Sequence, residues 1–382
     1  MAGLYIHIPF CASRCIYCNF YSTTSLKLRQ RYVDAVCREM SLLPAPSKER
    51  GSIDTIYLGG GTPSQLTPDQ LRQLFLYINK VYENQAVEVT IEMNPDDVTP
   101  AFAEVLPRFG INRVSMGAQT FDNERLRFLH RRHTATQVPQ AIKILRNAGI
   151  QNISIDLMYG FPGETFDDWQ RDIETALSLD VEHISAYCLM VEEGTALYER
   201  LKMKDEKLKM PNEELERQMY ELLIDKLTAA GYEHYEISNF AKPGYRSKHN
   251  SSYWQDIPYI GLGAAAHSYA VLGGSSSETT AFRSWNVADI HQYIEAIEHG
   301  ELPSEQEEID GDTHYNDRIT VALRTSDGLD LTPLSDRHRR YCMKEAQRFL
   351  DDGLLQLCDN RLSLTRKGLF VSDYIMSSLI MV

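Results

Sequence analysis

Three cysteines lie within eight positions near the N-terminus, in the segment Cys11-Ala-Ser-Arg-Cys15-Ile-Tyr-Cys18. The spacing C-x3-C-x2-C puts three thiolates on one short loop, where they can bind three irons of a cubane cluster. The fourth iron would keep open coordination positions for the amine and carboxylate of a small ligand. A zinc site would need a fourth ligand, and His7, the one candidate nearby, is expected on the opposite side of the strand end. Three buried free thiols are the remaining alternative.

The seven cysteines as a group also indicate a cellular compartment. Their number is odd and three crowd into one segment, whereas a secreted disulfide framework would spread an even number along the chain. The other four, Cys37, Cys188, Cys342 and Cys358, lack metal-ligand spacing and are interpreted as small hydrophobic side chains. A reducing cytoplasm is therefore expected.

Polar residues stand where the following predicted strands end. The segment Gly-Gly-Gly-Thr-Pro, residues 59–63, ends the second strand, and its glycines let backbone groups approach a ligand closely. Glu92 ends the third, where a carboxylate can accept hydrogen bonds from two ribose hydroxyls. Gln119 and Asp156 end the fourth and fifth, and Arg131 is a cation suited to a carboxylate. Singly, each is more often a solvated polar group; together they predict a ring around one mouth.

Alternating strands and helices are predicted to position these residues. Six short runs are rich in Ile, Val and Tyr and bounded by Gly, Pro or polar clusters. These predicted strands are Leu4–Phe10, Ile53–Leu58, Val87–Met93, Arg113–Gly117, Asn152–Met158 and His183–Met190. The helix patterns are Leu28–Leu42, Pro68–Val81, Ala135–Asn147, Phe166–Ser178 and Glu213–Ala230.

Local signals mark where these helices begin and end. Thr67 with Gln70 predicts a capping box, as does Thr165 with Asp168. Gly110 and Gly149 stand where helices should stop. Six strand–helix repeats require parallel pairing with right-handed crossovers, which predicts an α/β fold with a partial (β/α)6 barrel. Reactive groups then belong at the carboxyl ends of the strands.

The chain of 382 residues is divided into four predicted parts. Residues 1–235 form the barrel, 236–300 a segment attached to it, 301–312 an acidic linker, and 313–382 a small winged-helix-like α/β domain with a hairpin around Asp359 and Asn360. That domain carries ten Lys and Arg against nine Asp and Glu, a balance of +1, which disfavours DNA binding.

Composition and charge favour a soluble globular protein. The net charge of −14 argues against a nucleic-acid partner, because tight binding of polyphosphates needs clustered Lys and Arg. No apolar run approaches the ~20 residues of a membrane helix. The start of the sequence, MAGLYIHIPFC, lacks the pattern of a secretory signal. The apolar residues 375–382 are expected to pack on their own domain, with peripheral membrane contact as an alternative.

The cysteine triplet and the polar strand ends together resemble the radical S-adenosylmethionine (SAM) superfamily. The resemblance implies a [4Fe–4S] cluster on Cys11, Cys15 and Cys18, which donates an electron to SAM and cleaves it to methionine and a 5′-deoxyadenosyl radical. It also implies a set of residues around SAM. Those residues are Tyr5, Tyr17, Gly60, Gly61, Thr62, Glu92, Gln119, Arg131 and Asp156.

Within that superfamily, the sequence from Leu4 to about Ser268 resembles the family that contains oxygen-independent coproporphyrinogen III oxidase and the HemW-type heme chaperones. The oxidase decarboxylates propionate side chains, whereas the chaperone binds heme and passes it on. Two departures favour the chaperone. Phe20 stands where the oxidase has a fourth cysteine, and the triplet begins at residue 11 without the long N-terminal extension of the oxidase.

The third departure is the segment His-Asn-Ser-Ser-Tyr-Trp, residues 249–254, which matches the H-N-x-x-Y-W motif of the chaperone group. His249 can ligate heme iron, and Tyr253 and Trp254 offer flat apolar surfaces. His267 occupies a position where the oxidase has an apolar residue lining a second SAM site, and it is an alternative heme ligand.

The preferred hypothesis is therefore a cytoplasmic HemW-like protein that delivers heme to an acceptor protein, with homodimerisation left open. An enzyme that decarboxylates coproporphyrinogen is the second hypothesis, opposed by Phe20 and the short N-terminus. A purely structural iron–sulfur or zinc protein with a winged-helix partner module is the third, opposed by the complete set of strand-end residues.

Overall fold

The structure is a computed structural model that describes residues 2–43, 52–203, 208–273 and 279–381. Its first six strands follow one another in space in chain order and pair in parallel. They are β1 (Ala2–Ile8), β2 (Ile53–Gly60), β3 (Asn84–Met93), β4 (Arg113–Gln119), β5 (Asn152–Tyr159) and β6 (His183–Cys188). The predicted α/β fold with a parallel, open barrel is confirmed.

Helices cover the outer face of these strands. They are α1 (Arg29–Leu42), α2 (Pro68–Val81), α3 (Pro100–Ala103), α4 (Asn123–Phe128), α5 (Gln137–Asn147), α6 (Phe166–Ser178), α7 (Ala196–Lys202) and α8 (Glu213–Ala229). Both predicted capping boxes are present, at Thr67 and at Thr165. Gly110 and Gly149 have φ of 77° and 95°, the left-handed conformation that ends a helix.

The sheet continues beyond the six predicted strands on both sides. The added elements are β7 (Glu233–Glu236), β8 (Asn239–Ala241), α9 (Lys248–Trp254), β9 (Tyr259–Leu262), β10 (His267–Gly273), β11 (Thr279–Asn286), α10 (Ile290–His299) and β12 (Ser304–Ile309). β9 pairs in parallel with β1, and β10, β11 and β12 follow it in antiparallel order. Among the described residues one sheet therefore has twelve strands.

The acidic segment 301–312 is not the linker that its composition predicted. Residues 304–309 form β12, which pairs with β11 from Ser304↔Asn286 to Ile309↔Ala281. Ile309 is buried, whereas the glutamates before it are exposed. An exposed edge strand tolerates charged side chains on both faces. Its composition therefore resembles that of a linker, which is why the prediction was wrong.

The C-terminal module has a core of its own, built around Tyr315, Phe349 and Leu362. Its elements are α11 (Gly311–Ala322), β13 (Leu329–Asp330), α12 (Asp336–Asp351), β14 (Leu355–Cys358), β15 (Arg361–Leu364), α13 (Arg366–Leu369) and α14 (Ser372–Leu379). The predicted hairpin is present, and Asp359 and Asn360 at its turn have φ of 48° and 61°. No helix of the described residues is long and apolar enough to cross a membrane.

A buried carboxylate fixes the corner between β9 and β10. Glu39 of α1 is almost fully buried. It accepts hydrogen bonds from the Gly263 backbone N–H (2.8 Å), the Asn286 side-chain amide (2.6 Å) and the Tyr293 hydroxyl (2.5 Å). This corner directly precedes His267, so Glu39 determines where that imidazole is presented.

We expect Glu39→Ala to lower the free energy of unfolding by about 3 kcal/mol or more, because three buried donors would each lose their acceptor at about 1–3 kcal/mol apiece. Chemical denaturation followed by circular dichroism measures this loss. Glu104→Ala, at an exposed carboxylate, is the matched control and should leave stability within about 0.5 kcal/mol of the parent. An equal effect of the two substitutions would contradict this role.

Candidate functional site

The cysteine loop lies between β1 and α1 and is held by backbone bonds. The Cys11 N–H donates to the Thr23 carbonyl (2.9 Å), and the Ile16 N–H donates to the Leu129 carbonyl (3.3 Å). Ile16 itself is buried in a small apolar cluster under the loop, packed with Leu129 and Phe161. The loop is thus anchored through its backbone and Ile16, while its three thiols stay partly accessible.

The three thiols face a cavity of about 180 Å³, hereafter the cysteine cavity. The predicted residues that line it are Cys11, Cys15, Cys18, Tyr17, Gly60, Gly61, Thr62, Glu92, Gln119, Arg131 and Asp156. The sequence prediction missed others that line the same space, Asn94, Ser115 and Gly117 among them. Asn94 had a usable signal, because it follows the strand end two residues after Glu92.

The donor set of the cysteine cavity suits a cubane cluster. The Thr62 hydroxyl donates to the Cys11 sulfur (3.5 Å), and an Arg131 N–H donates to the Cys15 sulfur (3.6 Å), so both contacts would stabilise thiolates. Burial raises the pKa of the Cys11 and Cys18 thiols, so both stay protonated without a metal and would release their protons on binding iron. In the described part of the chain, no group of three or more His, Cys, Asp or Glu side chains is placed so that it could hold a single metal ion. A cubane does not need this, because each thiolate binds its own iron.

His7 is not available as a fourth ligand. Its Nδ1 is 3.0 Å from the Tyr5 hydroxyl, and its Nε2 is 3.0 Å from the Tyr21 carbonyl oxygen. The ring is buried and lines a neighbouring cavity instead of the cysteine cavity. This placement agrees with the expectation that His7 lies away from the triplet.

The glycines that end β2 are needed for packing against β1. A Cβ at Gly60, where φ is 105°, would lie 2.4 Å from a ring carbon of His7, and one at Gly61 would lie 2.7 Å from the Pro9 backbone. Glycine therefore lets the two strand ends approach each other, in addition to leaving room for a ligand.

Glu92 and Asp156 are two partly buried carboxylates of the cysteine cavity. Glu92 accepts hydrogen bonds from the Tyr57 hydroxyl (2.7 Å) and the Gly60 N–H (3.1 Å). Burial raises the pKa of Glu92 to about 7, and the bond from Tyr57 opposes that rise. Burial likewise raises the pKa of Asp156 to about 6, opposed by the charge of Arg113. Both groups change charge close to neutral pH.

Two side chains near the end of β4, Arg131 and Gln119, are fixed by hydrogen bonds and by backbone conformation respectively. One terminal nitrogen of Arg131 donates both to the Asn94 side-chain oxygen (2.6 Å) and to the Gly117 carbonyl (2.7 Å). Gln119 has φ of 67°, a left-handed conformation that costs a non-glycine residue about 1–2 kcal/mol. Such local strain is typical of residues held in place for a ligand.

A second cavity of about 500 Å³, the aromatic cavity, adjoins the first. Its aromatic lining residues are Tyr5, Phe20, Tyr21, Tyr253, Tyr259 and Tyr269. Phe20 lines both cavities and is 70% exposed. Tyr5, predicted beside SAM, lies in the aromatic cavity, because its hydroxyl is turned toward His7.

The structure separates the four predicted heme residues. His249 is fully buried, with Nδ1 2.8 Å from the Thr55 hydroxyl and Nε2 2.8 Å from the Tyr253 hydroxyl. Neither ring nitrogen is free to bind iron, so His249 does not serve as a heme ligand in this arrangement. Trp254 lines a third cavity between the barrel and the C-terminal module. His267 and Tyr253 remain together in the aromatic cavity.

Comparisons with known proteins agree with this arrangement. Residues 5–176 match the family model for the radical SAM superfamily, and residues 309–371 match that for the HemN C-terminal domain. The heme chaperone HemW of Bacillus subtilis is 36% identical over 96% of each chain. The chain belongs to the HemW family. HemW of Mycobacterium tuberculosis H37Rv is 33% identical over 99% of this chain and 94% of its own.

A solved structure supports the fold of this HemW-family chain. The radical SAM enzyme coproporphyrinogen III oxidase (HemN) of Escherichia coli superimposes with a TM-score of 0.81, covering 100% of this chain and 90% of that one. Its sequence identity of 22% shows the fold alone. As a member of the radical SAM superfamily, the HemW-family protein uses a [4Fe–4S] cluster and SAM.

Replacing any one triplet cysteine, for example Cys15→Ser, should lower the iron bound after anaerobic reconstitution from about four per chain to below about one, because the cubane loses one of its three protein ligands. Iron analysis and absorbance near 400 nm measure this. Cys358→Ser, at an exposed hairpin thiol, should retain the full iron content. Full iron in the Cys15 variant would show that the triplet does not hold the cluster.

The affinity for SAM should fall as pH decreases from 8 to 6, by up to about tenfold per unit below the pKa of about 7 for Glu92. The reason is that a protonated carboxyl is a poorer acceptor for ribose hydroxyls. Equilibrium dialysis of the cluster-loaded protein measures the affinity. Titration of SAM itself also contributes, so the diagnostic quantity is the difference from Glu92→Gln.

Glu92→Gln should bind SAM more weakly at pH 8 and lose the part of the pH dependence that Glu92 causes. Glu83→Gln, at an exposed carboxyl just before the same strand, should behave like the parent protein. If parent and Glu92→Gln gave parallel pH profiles, Glu92 would not be the titrating group.

Proposed function

We propose that this protein is a heme chaperone that binds heme in the aromatic cavity, with His267 as the iron ligand, and passes it to an acceptor protein. The observation that carries the proposal is an accessible imidazole, without a hydrogen bond to any described residue, in an aromatic-lined cavity beside the cysteine loop. The relatives named heme chaperone HemW match nearly the whole chain, which supports the same activity here.

His267 has the protonation state that ligation requires. Its partial burial, together with the charge of Arg283, lowers the pKa of the imidazole, so the ring is neutral at physiological pH. A neutral imidazole offers a lone pair to iron. In contrast, His7 and His249 each have both ring nitrogens occupied by hydrogen-bond partners.

The aromatic rings around His267 supply the flat apolar surface that a macrocycle needs. Tyr253 packs edge-on against Tyr259 with ring centroids 4.6 Å apart, and Tyr259 lies near Tyr269 at 6.3 Å. Phe20 exposes most of its ring at the boundary with the cysteine cavity. An exposed large apolar ring at a cavity mouth is typical of a binding surface. Heme bound there would bury it.

The cysteine cavity supplies the sites for the cluster and for SAM. We assign the cluster to Cys11, Cys15 and Cys18, and when bound it can supply an electron to SAM. Glu92 is assigned to the ribose hydroxyls, and Arg131 to the carboxylate of the methionine part. The remaining assigned SAM contacts are Tyr17, Gly60, Gly61, Thr62, Gln119 and Asp156.

Cellular placement and assembly complete the proposal. All seven cysteines are free, which fits the reducing cytoplasm expected from the sequence. Helix α14 buries Ile375, Met376 and Leu379 in the core of its own module, so these side chains are not free to enter a membrane. Homodimerisation stays a prediction, which sedimentation of the cluster-loaded protein would test.

Titration with heme, followed by the Soret band, tests the proposed ligand. We expect the parent protein to give a shifted Soret band and His267→Ala to bind at least about tenfold more weakly with a changed band position, because the iron loses its axial ligand. His291→Ala, at an exposed histidine, is the matched control and should behave like the parent. An unchanged titration of His267→Ala would remove His267 as the ligand.

The same preparation distinguishes the chaperone from the oxidase. Cluster-loaded protein with SAM and coproporphyrinogen under anaerobic conditions should yield no decarboxylated product. Product formation would replace the chaperone proposal with the oxidase, and the absence of any Soret shift in the parent protein would remove its central claim.

A further inference from the structure

One face of α11 forms a wall of the aromatic cavity. His314, Asp317, Arg318 and Val321 all line the cavity, at the spacing i, i+3, i+4, i+7 that places side chains on one side of a helix. α11 is the first helix of the C-terminal module, and its Tyr315 and Ile319 pack into the core of that module. The module therefore contributes polar side chains to a cavity whose other walls belong to the barrel.

The basic side chains that line the aromatic cavity at and beside α11 differ in whether a carboxylate pairs with them. Arg283 from β11 pairs with Asp317 (2.5 Å) and Glu307 (3.1 Å). His314 is 2.7 Å from Asp256, which also accepts a hydrogen bond from the Tyr269 hydroxyl.

Arg318 is the exception. It makes neither a hydrogen bond nor an ion pair with any described residue, although it lies in the fields of Asp256 and Asp330. Its side chain is half-buried at the cavity wall. A guanidinium that is partly desolvated and lacks a carboxylate partner favours an anionic ligand.

We propose that Arg318 binds a propionate carboxylate of heme in the aromatic cavity, so that the C-terminal module forms part of the heme site. The inference rests on the proposed function and specifies the ligand as a tetrapyrrole with free carboxylates. Guanidinium and carboxylate match in shape and can form two parallel hydrogen bonds. His267 on β10 would hold the iron from the barrel side, and Arg318 would hold the edge of the macrocycle from the module side.

Arg318 also borders the third cavity, between the barrel and the C-terminal module, but that space suits a macrocycle less well. It has two aromatic side chains, Tyr235 and Trp254, against six in the aromatic cavity. An anion in the third cavity would face three carboxylates, those of Asp256, Asp327 and Asp330. In the aromatic cavity it would face two, those of Asp256 and Asp317. The carboxylates of both cavities are paired with basic side chains.

The test compares heme with heme dimethyl ester, in which both propionates are esterified, in the same detergent buffer. Cluster-loaded full-length protein is titrated with each, and the Soret band is followed. We expect the parent to bind heme about tenfold more tightly than the ester, because the ester cannot pair with a guanidinium. Arg318→Gln should bind heme as weakly as the ester, while its affinity for the ester and its Soret position stay those of the parent.

Two further variants separate recognition from structure. Arg318→Lys keeps the charge but not the planar fork, so it should restore part of the preference for heme. Arg340→Gln, at an exposed arginine on α12, should retain the full preference.

The outcomes distinguish the role of Arg318 from the proposed heme site itself. Equal binding of heme and ester by the parent, with a normal Soret shift, would overturn the role of Arg318 and leave the heme site intact. An equal loss for both ligands in Arg318→Gln would also overturn it, because it would indicate a structural role. A parent protein that gave no Soret shift with either ligand would overturn the heme site itself.

Discussion

The parallel pairing of β1 to β6 is the constraint on which the rest of the structure depends. Parallel neighbours end at the same edge of a sheet, so residues far apart in the chain become lateral neighbours there. Glu92 pairs with Ser115, and Gly117 pairs with Asp156. The cysteine loop leaves the same edge after β1. Without this pairing the thiols, the carboxylates and Arg131 would share no cavity.

Buried polar side chains fix the position of the aromatic cavity relative to the cysteine cavity. Glu39 holds the corner before His267, and Glu88 accepts hydrogen bonds from the backbone N–H groups of Lys248 and His249, which fixes the start of α9. These carboxylates join segments that are far apart in sequence to α1 and β3. The aromatic cavity is thus rigidly related to the cysteine cavity, and Phe20 lies at their boundary.

The C-terminal module is coupled to the barrel through polar contacts as well as packing. Arg324 of the module pairs with Glu236 of the barrel at 3.1 Å, and His314 of α11 reaches Asp256. Polar contacts of this kind are weaker per area than an apolar core and can be exchanged when a partner binds.

Sequence by itself determined the local features: the cysteine triplet, six strands and their helices, the capping boxes at Thr67 and Thr165, and the polar strand ends. Each depends on neighbouring residues and on periodicity, which a chain carries without its fold. Tertiary structure alone decided that His249 is enclosed while His267 is accessible, that Tyr5 faces the aromatic cavity, and that residues 304–309 form an edge strand. Burial and hydrogen-bond partners depend on which distant segments pack together, and no local pattern encodes that.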